Sequence, residues 1–210
     1  MNILKLILVG MTLLNLSYAK ELQGDLTLRK NIVILFDDSG SMMQRGRIYK
    51  AQKATINLLQ SLKDGTNIAI YALNKKRVVE LQPVEDGVEL AIKKIENIRA
   101  DGSTPIGKSL DAVTKILERQ KAKQSGYGSY TIIVVTDGKA NSPRTMFRAV
   151  DRAIDNGFII KTIGLDIHDH KLKKVTQFVE ASSQRELTKA LMRAVDAEVS
   201  DDIGFVAQDF

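Results

Sequence analysis

The chain has 210 residues, of which 44% are hydrophobic and 27% charged, values that are ordinary for a globular domain with a sizeable core. Its formal net charge is +6, with lysines and arginines scattered along the chain, so the charge permits acidic partners without singling out nucleic acid. Aromatic residues make up 5% and tryptophan is absent, which argues against a surface that stacks bases. The lack of cysteine excludes a disulfide framework and leaves no residue for a lipid-modified cysteine anchor.

The first 19 residues have the pattern of a secretory signal peptide. A positive charge at Lys5 precedes a mostly apolar run from Leu6 to Leu16, and Ser17-Tyr18-Ala19 ends in small residues typical of a cleavage site. An uncleaved anchor is the alternative, although the apolar run is shorter than the roughly 20 residues that a spanning helix needs. We therefore expect cleavage after Ala19, no membrane span in the mature chain, and export to a bacterial periplasm or secretion.

Beyond the signal, apolar strand patterns alternate with amphipathic helix patterns. Strands are predicted at Asn31–Phe36, Asn67–Leu73, Arg77–Leu81, Tyr130–Val135, Phe158–Ile163 and Val175–Val179. Helices are predicted at Arg47–Leu62, Val88–Ile98, Ile106–Arg119, Met146–Asn156 and Gln184–Val199. This alternation predicts a doubly wound, Rossmann-like α/β fold with a mostly parallel sheet and helices on both faces. Arg77–Leu81, reached by a tight turn, is the expected antiparallel edge strand.

Three polar segments stand out against this background. Asp37-Asp38-Ser39-Gly40-Ser41 follows the first strand, the loop Gly102–Gly107 carries Thr104, and Thr136-Asp137-Gly138 follows the strand Tyr130–Val135. Open α/β sheets place ligand sites at the carboxyl ends of their strands. Hydroxyls and carboxylates are hard oxygen donors that suit Mg²⁺ better than zinc or copper. The alternative is three ordinary turns, since Asp, Ser and Gly are turn residues in their own right.

The order Asp-x-Ser-x-Ser, a distant Thr and a distant Asp resembles the metal ion-dependent adhesion site (MIDAS) of von Willebrand factor A (VWA) domains. Asp37, Ser39, Ser41, Thr104 and Asp137 fill all five positions. The resemblance implies a VWA domain at residues 20–199, followed by a C-terminal tail at 200–210, and a Mg²⁺ or Mn²⁺ cofactor. It also implies direct binding of the metal by the two serines. Thr104 would bind directly or through water, and the two aspartates largely through water or as alternating inner and outer ligands.

A cation held mainly by uncharged hydroxyls stays under-neutralised and keeps a position open for an outside ligand. The resemblance therefore implies a protein-binding module, not an enzyme, that captures a Glu or Asp of a partner protein. An accessory subunit of a bacterial envelope or surface assembly, with the metal site as its joint, is the alternative. A metal-dependent hydrolase is disfavoured because the sequence has no nucleophile elbow, phosphate loop or second acidic cluster.

Within the first segment, Gly40 is expected to let the backbone turn tightly so that both serine hydroxyls face one point. Asp38 is expected to point away from the metal, where it caps the loop or faces solvent. Gly102 and Gly107 are expected to permit the shape of the loop that carries Thr104.

The C-terminal part departs from the family pattern, which usually has a helix and then a strand between Leu165 and Ser183. The segment is short here, so we expect that helix to be reduced or lost. The triplet His168-Asp169-His170 favours a polar surface turn over a transition-metal site. For the tail at 200–210, packing over the sheet flank and disorder remain open alternatives.

Overall fold

The computed structural model describes residues 29–167 and 171–196. Its strands are Lys30–Phe36 (β1), Thr66–Ala72 (β2), Lys76–Pro83 (β3), Ser129–Thr136 (β4), Ile159–Leu165 (β5) and Gln177–Ala181 (β6). Its α-helices are Arg47–Ser61 (α1), Val88–Glu96 (α2), Ile106–Lys123 (α3), Pro143–Asp155 (α4) and Gln184–Asp196 (α5). Short 3₁₀ helices span Gly40–Gly46, Val84–Asp86 and Lys171–Lys174. The predicted signal peptide, the His168-Asp169-His170 triplet and the tail lie outside the described residues.

The six strands form one sheet in the order β3-β2-β1-β4-β5-β6. Every neighbouring pair is parallel except β2 and β3, which are antiparallel. This confirms the predicted doubly wound sheet with one antiparallel edge strand. The chain leaves β1 towards β2 and later returns to the other side of β1 through β4, so the strand order reverses at β1. Open α/β sheets bind ligands at such a switch point, outside the carboxyl ends of the strands.

The central strand β1 explains why the sequence shows an unbroken apolar run. Ile32, Ile34 and Phe36 enter the core that the sheet shares with α1, α2 and α5. Val33 and Leu35 enter the opposite core, which the sheet shares with α3 and α4. A strand buried on both faces needs apolar residues at every position, whereas a half-exposed strand alternates. The two cores hold β1 and its neighbours rigidly, and the polar loops begin where these strands stop.

The segment after β5 is reduced, as the sequence predicts. Within its described residues it contains only the 3₁₀ helix Lys171–Lys174, whose Leu172 is buried in the core beside α3 and α4. The strand that follows begins at Gln177 rather than at the predicted Val175. The capping box at the start of α5 is present, because the Glu186 N–H donates to Ser183 Oγ at 3.2 Å and the Ser183 N–H donates to a Glu186 carboxylate oxygen at 3.3 Å.

None of the helices among the described residues combines the length and the apolar character needed to cross a bilayer.

Candidate metal centre

Asp37 is a buried carboxylate at the carboxyl end of β1. Its N–H donates to the Val135 carbonyl of β4 at 2.9 Å, which continues the sheet pairing into the loop. Its Oδ1 accepts from the Ser39 N–H at 2.8 Å, and its Oδ2 accepts from the Thr136 hydroxyl at 2.5 Å. Burial raises the pKa of Asp37, while hydrogen bonds from Ser39 and Thr136 oppose that rise and the charge of nearby Asp137 adds to it. The ionised form is therefore costly here unless a cation lies close.

The two serines and Asp137 form a connected group beside Asp37. Ser39 Oγ and Ser41 Oγ are 3.2 Å apart, and the Ser41 hydroxyl donates to Asp137 Oδ1 at 2.7 Å. The Asp137 side chain has no exposed area. Asp37 follows β1 and Asp137 follows β4, and these two strands pair in the sheet. The sheet therefore brings together two loops that are about a hundred residues apart in sequence.

Thr104 reaches the same place from the loop before α3. Its N–H donates to Asn141 Oδ1 at 3.1 Å, and its carbonyl accepts from the Asn141 N–H at 3.0 Å. A Cβ built on Gly138 would lie 3.6 Å from both Ser41 Oγ and Thr104 Oγ1. The two hydroxyls therefore line a common space that the hydrogen of Gly138 leaves open. The structure brings all five predicted residues together at one end of the sheet.

The donor set fits a divalent cation that prefers oxygen. Three hydroxyls and two carboxylates are the hard donors that Mg²⁺ and Mn²⁺ favour. Among residues 29–167 and 171–196 there is no group of three or more His, Cys, Asp or Glu side chains able to hold a metal. The hydroxyls must therefore supply part of any coordination at this site.

Asp38 is fully buried, so the expected alternative that it faces solvent is wrong. Its Oδ1 accepts from the N–H and the side-chain amide of Asn74 at 2.7 and 3.0 Å, and its Oδ2 accepts from the Lys75 N–H at 2.9 Å. Its carbonyl accepts from the Asp101 N–H at 2.7 Å. Asp38 therefore caps the turn between β2 and β3, and it joins this turn to the loop that carries Thr104.

The glycines of the site divide into different roles. Gly102 has φ +82°, so its left-handed backbone confirms that the loop before Thr104 needs glycine there. Gly40 lies outside the left-handed region, so its φ does not itself require glycine for the tight turn expected there. Its N–H instead donates to the Gly102 carbonyl at 3.1 Å. A Cβ on Gly107 would lie 2.6 Å from backbone atoms of Thr145 and Met146, so Gly107 permits close packing of α3 on α4 rather than a loop shape.

Arg47 is the functional residue that the sequence analysis missed. Its Nη1 donates to Asp137 Oδ2 at 2.6 Å and its Nε donates to Asp166 Oδ2 at 3.2 Å. Burial lowers the pKa of Arg47, but the hydrogen bonds and charges of the two aspartates outweigh it and raise the pKa. One signal was available in the sequence. A basic residue at the first position of a helix opposes the helix dipole, which favours acidic residues there.

The family model for the von Willebrand factor type A domain matches residues 31–198, which is most of the chain, and the protein belongs to this family. No curated protein matches the sequence.

Solved structures share the fold at low sequence identity. A von Willebrand factor type A protein from Catenulispora acidiphila has a TM-score of 0.69 at 21% identity, over 81% of this chain and 44% of that one. Proximal thread matrix protein 1 from the mussel byssus, with a zinc-occupied MIDAS motif, has a TM-score of 0.66 at 20% identity, over 80% of this chain and 48% of that one. The pilus adhesin SpaC from Lactobacillus rhamnosus GG has a TM-score of 0.65 at 15% identity, over 78% of this chain and 30% of that one. This chain spans less than half the length of each, and such identities show the fold alone.

Proposed function

We propose that this protein is an exported protein-binding module that holds a divalent cation at a MIDAS and presents it to an acidic residue of a partner protein. The observation that carries the proposal is the meeting of three hydroxyls and two carboxylates in one group. The Ser41 and Thr104 hydroxyls flank the space beside Gly138, Ser39 Oγ and Asp137 Oδ1 contact Ser41, and Asp37 accepts from the Ser39 N–H. Three separate loops supply these groups, and all three lie at the switch point of the sheet. The protein would bind a cation and a partner protein rather than catalyse a reaction.

Ser39, Ser41 and Thr104 would hold the cation, with Asp37 and Asp137 acting directly or through water. When bound, the cation supplies an electrophilic position that a carboxylate from another protein fills. Two of the similar structures support this use of the fold, since one is a pilus adhesin and another has a zinc-occupied MIDAS motif. The zinc in that protein makes Zn²⁺ a necessary comparison beside Mg²⁺ and Mn²⁺.

The first test is calorimetric titration of residues 20–210 with Mg²⁺, Mn²⁺ and Zn²⁺. We expect one binding site in the parent and its loss in the Ser39→Ala/Ser41→Ala variant, because that variant removes two of the three hydroxyls. If the double variant binds like the parent, the site assignment is wrong. If the parent fails to bind any of the three cations even with free acetate present, the metal part of the proposal is wrong.

A pair of glycine variants makes this test sharper. In Gly138→Ala the new methyl would lie 3.6 Å from Ser41 Oγ and Thr104 Oγ1, an ordinary contact that preserves the fold but fills the space between the hydroxyls. We expect its cation affinity to fall about tenfold or more, since a misplaced donor set loses at least 1.4 kcal/mol. Gly40→Ala is the matched comparison, because beyond its two chain neighbours its methyl would contact only the Gly102 carbonyl, also at 3.6 Å. Its cation affinity should fall less than that of Gly138→Ala.

We propose export because residues 1–19 have the pattern of a signal peptide. The VWA domain would then span residues 20–199, and a C-terminal tail residues 200–210. The sequence leaves ten residues, Lys20 to Arg29, between the predicted cleavage site and β1. We expect the full-length protein, expressed in a bacterial host, to appear in the periplasm or medium with an N-terminus at Lys20, as read by intact mass. A membrane-bound product that retains Met1 would instead establish an uncleaved anchor.

A further inference from the structure

We infer that Arg47 lowers the cation affinity of the centre, because its positively charged guanidinium already forms an ion pair with Asp137. The inference rests on the proposed metal site and assigns to it a residue that determines cation affinity. With Arg47 in place, the centre binds a free cation weakly and binds it well only when a carboxylate from another molecule is also bound.

Both oxygens of Asp137 already have protein donors. Arg47 Nη1 donates to Oδ2 at 2.6 Å, and the Ser41 hydroxyl donates to Oδ1 at 2.7 Å. The Asp137 side chain is fully buried, and the Arg47 side chain is only 11% exposed. Hydrogen bonds between charged groups are strong, and they are stronger still where water is excluded. A cation must therefore compete with Arg47 for Asp137 or bind beside a carboxylate whose charge is already neutralised.

A second anchor holds Arg47 in this position. Asp166, directly after β5, accepts from Arg47 Nε at 3.2 Å, so the guanidinium bridges the ends of two neighbouring strands. Asp166 has φ 53°, an uncommon backbone conformation for a residue other than glycine, and its N–H donates to the Ala181 carbonyl of β6 at 3.1 Å. Lys50, one turn further along α1, also reaches Asp166 at 3.8 Å. The Arg47 guanidinium is therefore held between two aspartates, Asp137 and Asp166.

The charges give a reason for a dependence on a partner. Asp37 and Asp137 bring two negative charges to the centre, and Arg47, which Asp166 also contacts, offsets part of them. A divalent cation is then incompletely neutralised by the protein, so it attracts a carboxylate from outside. Without Arg47 the protein would neutralise the same cation more fully, so the cation would bind more tightly and attract the carboxylate less.

The experiment compares the purified protein with Arg47→Gln in calorimetric titrations with Mn²⁺, with and without acetate. We expect Arg47→Gln to bind Mn²⁺ about tenfold more tightly, as for removal of a close unfavourable charge. We also expect acetate to raise the Mn²⁺ affinity by a smaller factor in the variant than in the parent, since the two ligands are coupled through the charge of the centre. A merely structural role for Arg47 would not change that coupling.

Lys50→Gln is the matched control. It removes one positive charge from the same helix, and its ammonium is 3.8 Å from Asp166 with no contact to Asp137. Its Mn²⁺ affinity should stay within about twofold of the parent, because a charge farther from the cation interacts with it more weakly.

A second variant covers the case in which Arg47→Gln does not fold, since it leaves Asp137 buried without its partner. Arg47→Lys keeps the charge but lacks the planar guanidinium fork through which Arg47 holds Asp137 and Asp166, so its Mn²⁺ affinity should lie between those of the parent and Arg47→Gln. The inference is overturned if Arg47→Gln folds and binds Mn²⁺ no more tightly than the parent. If Arg47→Gln does not fold, the same result for Arg47→Lys overturns it. If the parent binds and Ser39→Ala/Ser41→Ala does not, the metal centre stands whatever Arg47 does. If parent and variants all fail to bind Mn²⁺, with and without acetate, the proposed centre and this inference fail together.

Discussion

Asp37 shows how the burial of one carboxylate in the candidate centre affects stability. Its carboxylate is buried, and burial raises its pKa despite the hydrogen bonds from Ser39 and Thr136. A group whose pKa is raised on folding binds its proton more readily in the folded state, so its ionisation destabilises the fold. This cost is absent below the pKa of the unfolded chain and is complete above the pKa of the folded protein. A bound cation would remove it.

Replacing Asp37 by Asn should therefore stabilise the protein in the absence of metal. The amide can keep both contacts, because its oxygen can accept from the Ser39 N–H and its NH₂ can donate to the Thr136 hydroxyl. In urea denaturation with EDTA at pH 7, we expect the free energy of unfolding to rise, because the cost of ionising the buried carboxyl is removed. The gain should shrink as the pH falls and vanish below about pH 4, where the carboxyl is neutral in both states.

Two comparisons give this prediction its control. Asp37→Ala removes the acceptor of the Ser39 N–H and leaves a void, so it should be less stable than the parent. Asp37→Asn should also gain less stabilisation from Mn²⁺, because one of the two charges that attract the cation is gone. An Asn variant that is less stable than the parent at pH 7 in EDTA would show that the carboxylate contributes to the fold rather than straining it.

The residues of the centre differ in how far the sequence predicts them. Asp37, Ser39, Ser41, Thr104 and Asp137 follow from a spaced pattern of residue types, and the structure places them together. Arg47 and Asn141 contact the centre across 90 and 37 residues of sequence, and each alone reads as an ordinary polar residue. Their partners are set by how α1 and the loop after β4 pack against the sheet, and no local pattern encodes that.

At the scale of the elements, periodicity predicts which helices exist better than where they begin. Helix α4 starts at Pro143 rather than at the predicted Met146, because Ser142 accepts from the Thr145 N–H and proline is favourable in the first turn. Helix α3 continues to Lys123, beyond the predicted Arg119, through a polar stretch that carries no apolar signal. Strong apolar faces locate the middle of a helix, and capping residues locate its ends.

The β5–β6 region shows a different limit of prediction. Strand β6 lies at the sheet edge with two exposed, two half-buried and one buried residue, and its sequence has neither a continuous apolar run nor a clean alternation. The predicted strand is therefore displaced by two residues towards the N-terminus. Among the described residues of the preceding segment, the reduction of the helix to Lys171–Lys174 is easier to predict, since a short polar segment cannot supply the apolar face that a packed helix needs.

At the scale of the whole molecule, the centre exists only when the sheet is complete. Its groups come from the ends of β1 and β4 and from the loop before α3, and Asp38 adds the turn between β2 and β3. In the unfolded chain these segments are far apart, so their hydroxyls cannot act as one site. A cation that binds here binds the folded state alone, and the whole domain should gain its binding free energy.

Mn²⁺ should therefore stabilise the protein globally, by an amount fixed by its own affinity. At a free concentration 100 times the dissociation constant, the free energy of unfolding should rise by about 2.7 kcal/mol. For a chain of this size the midpoint of thermal unfolding should then rise by roughly 5–10 °C. The same titration of Ser39→Ala/Ser41→Ala should leave the midpoint unchanged. An equal rise in that variant would mean that Mn²⁺ acts elsewhere on the molecule, because the hydroxyls that join the loops would have been removed without effect.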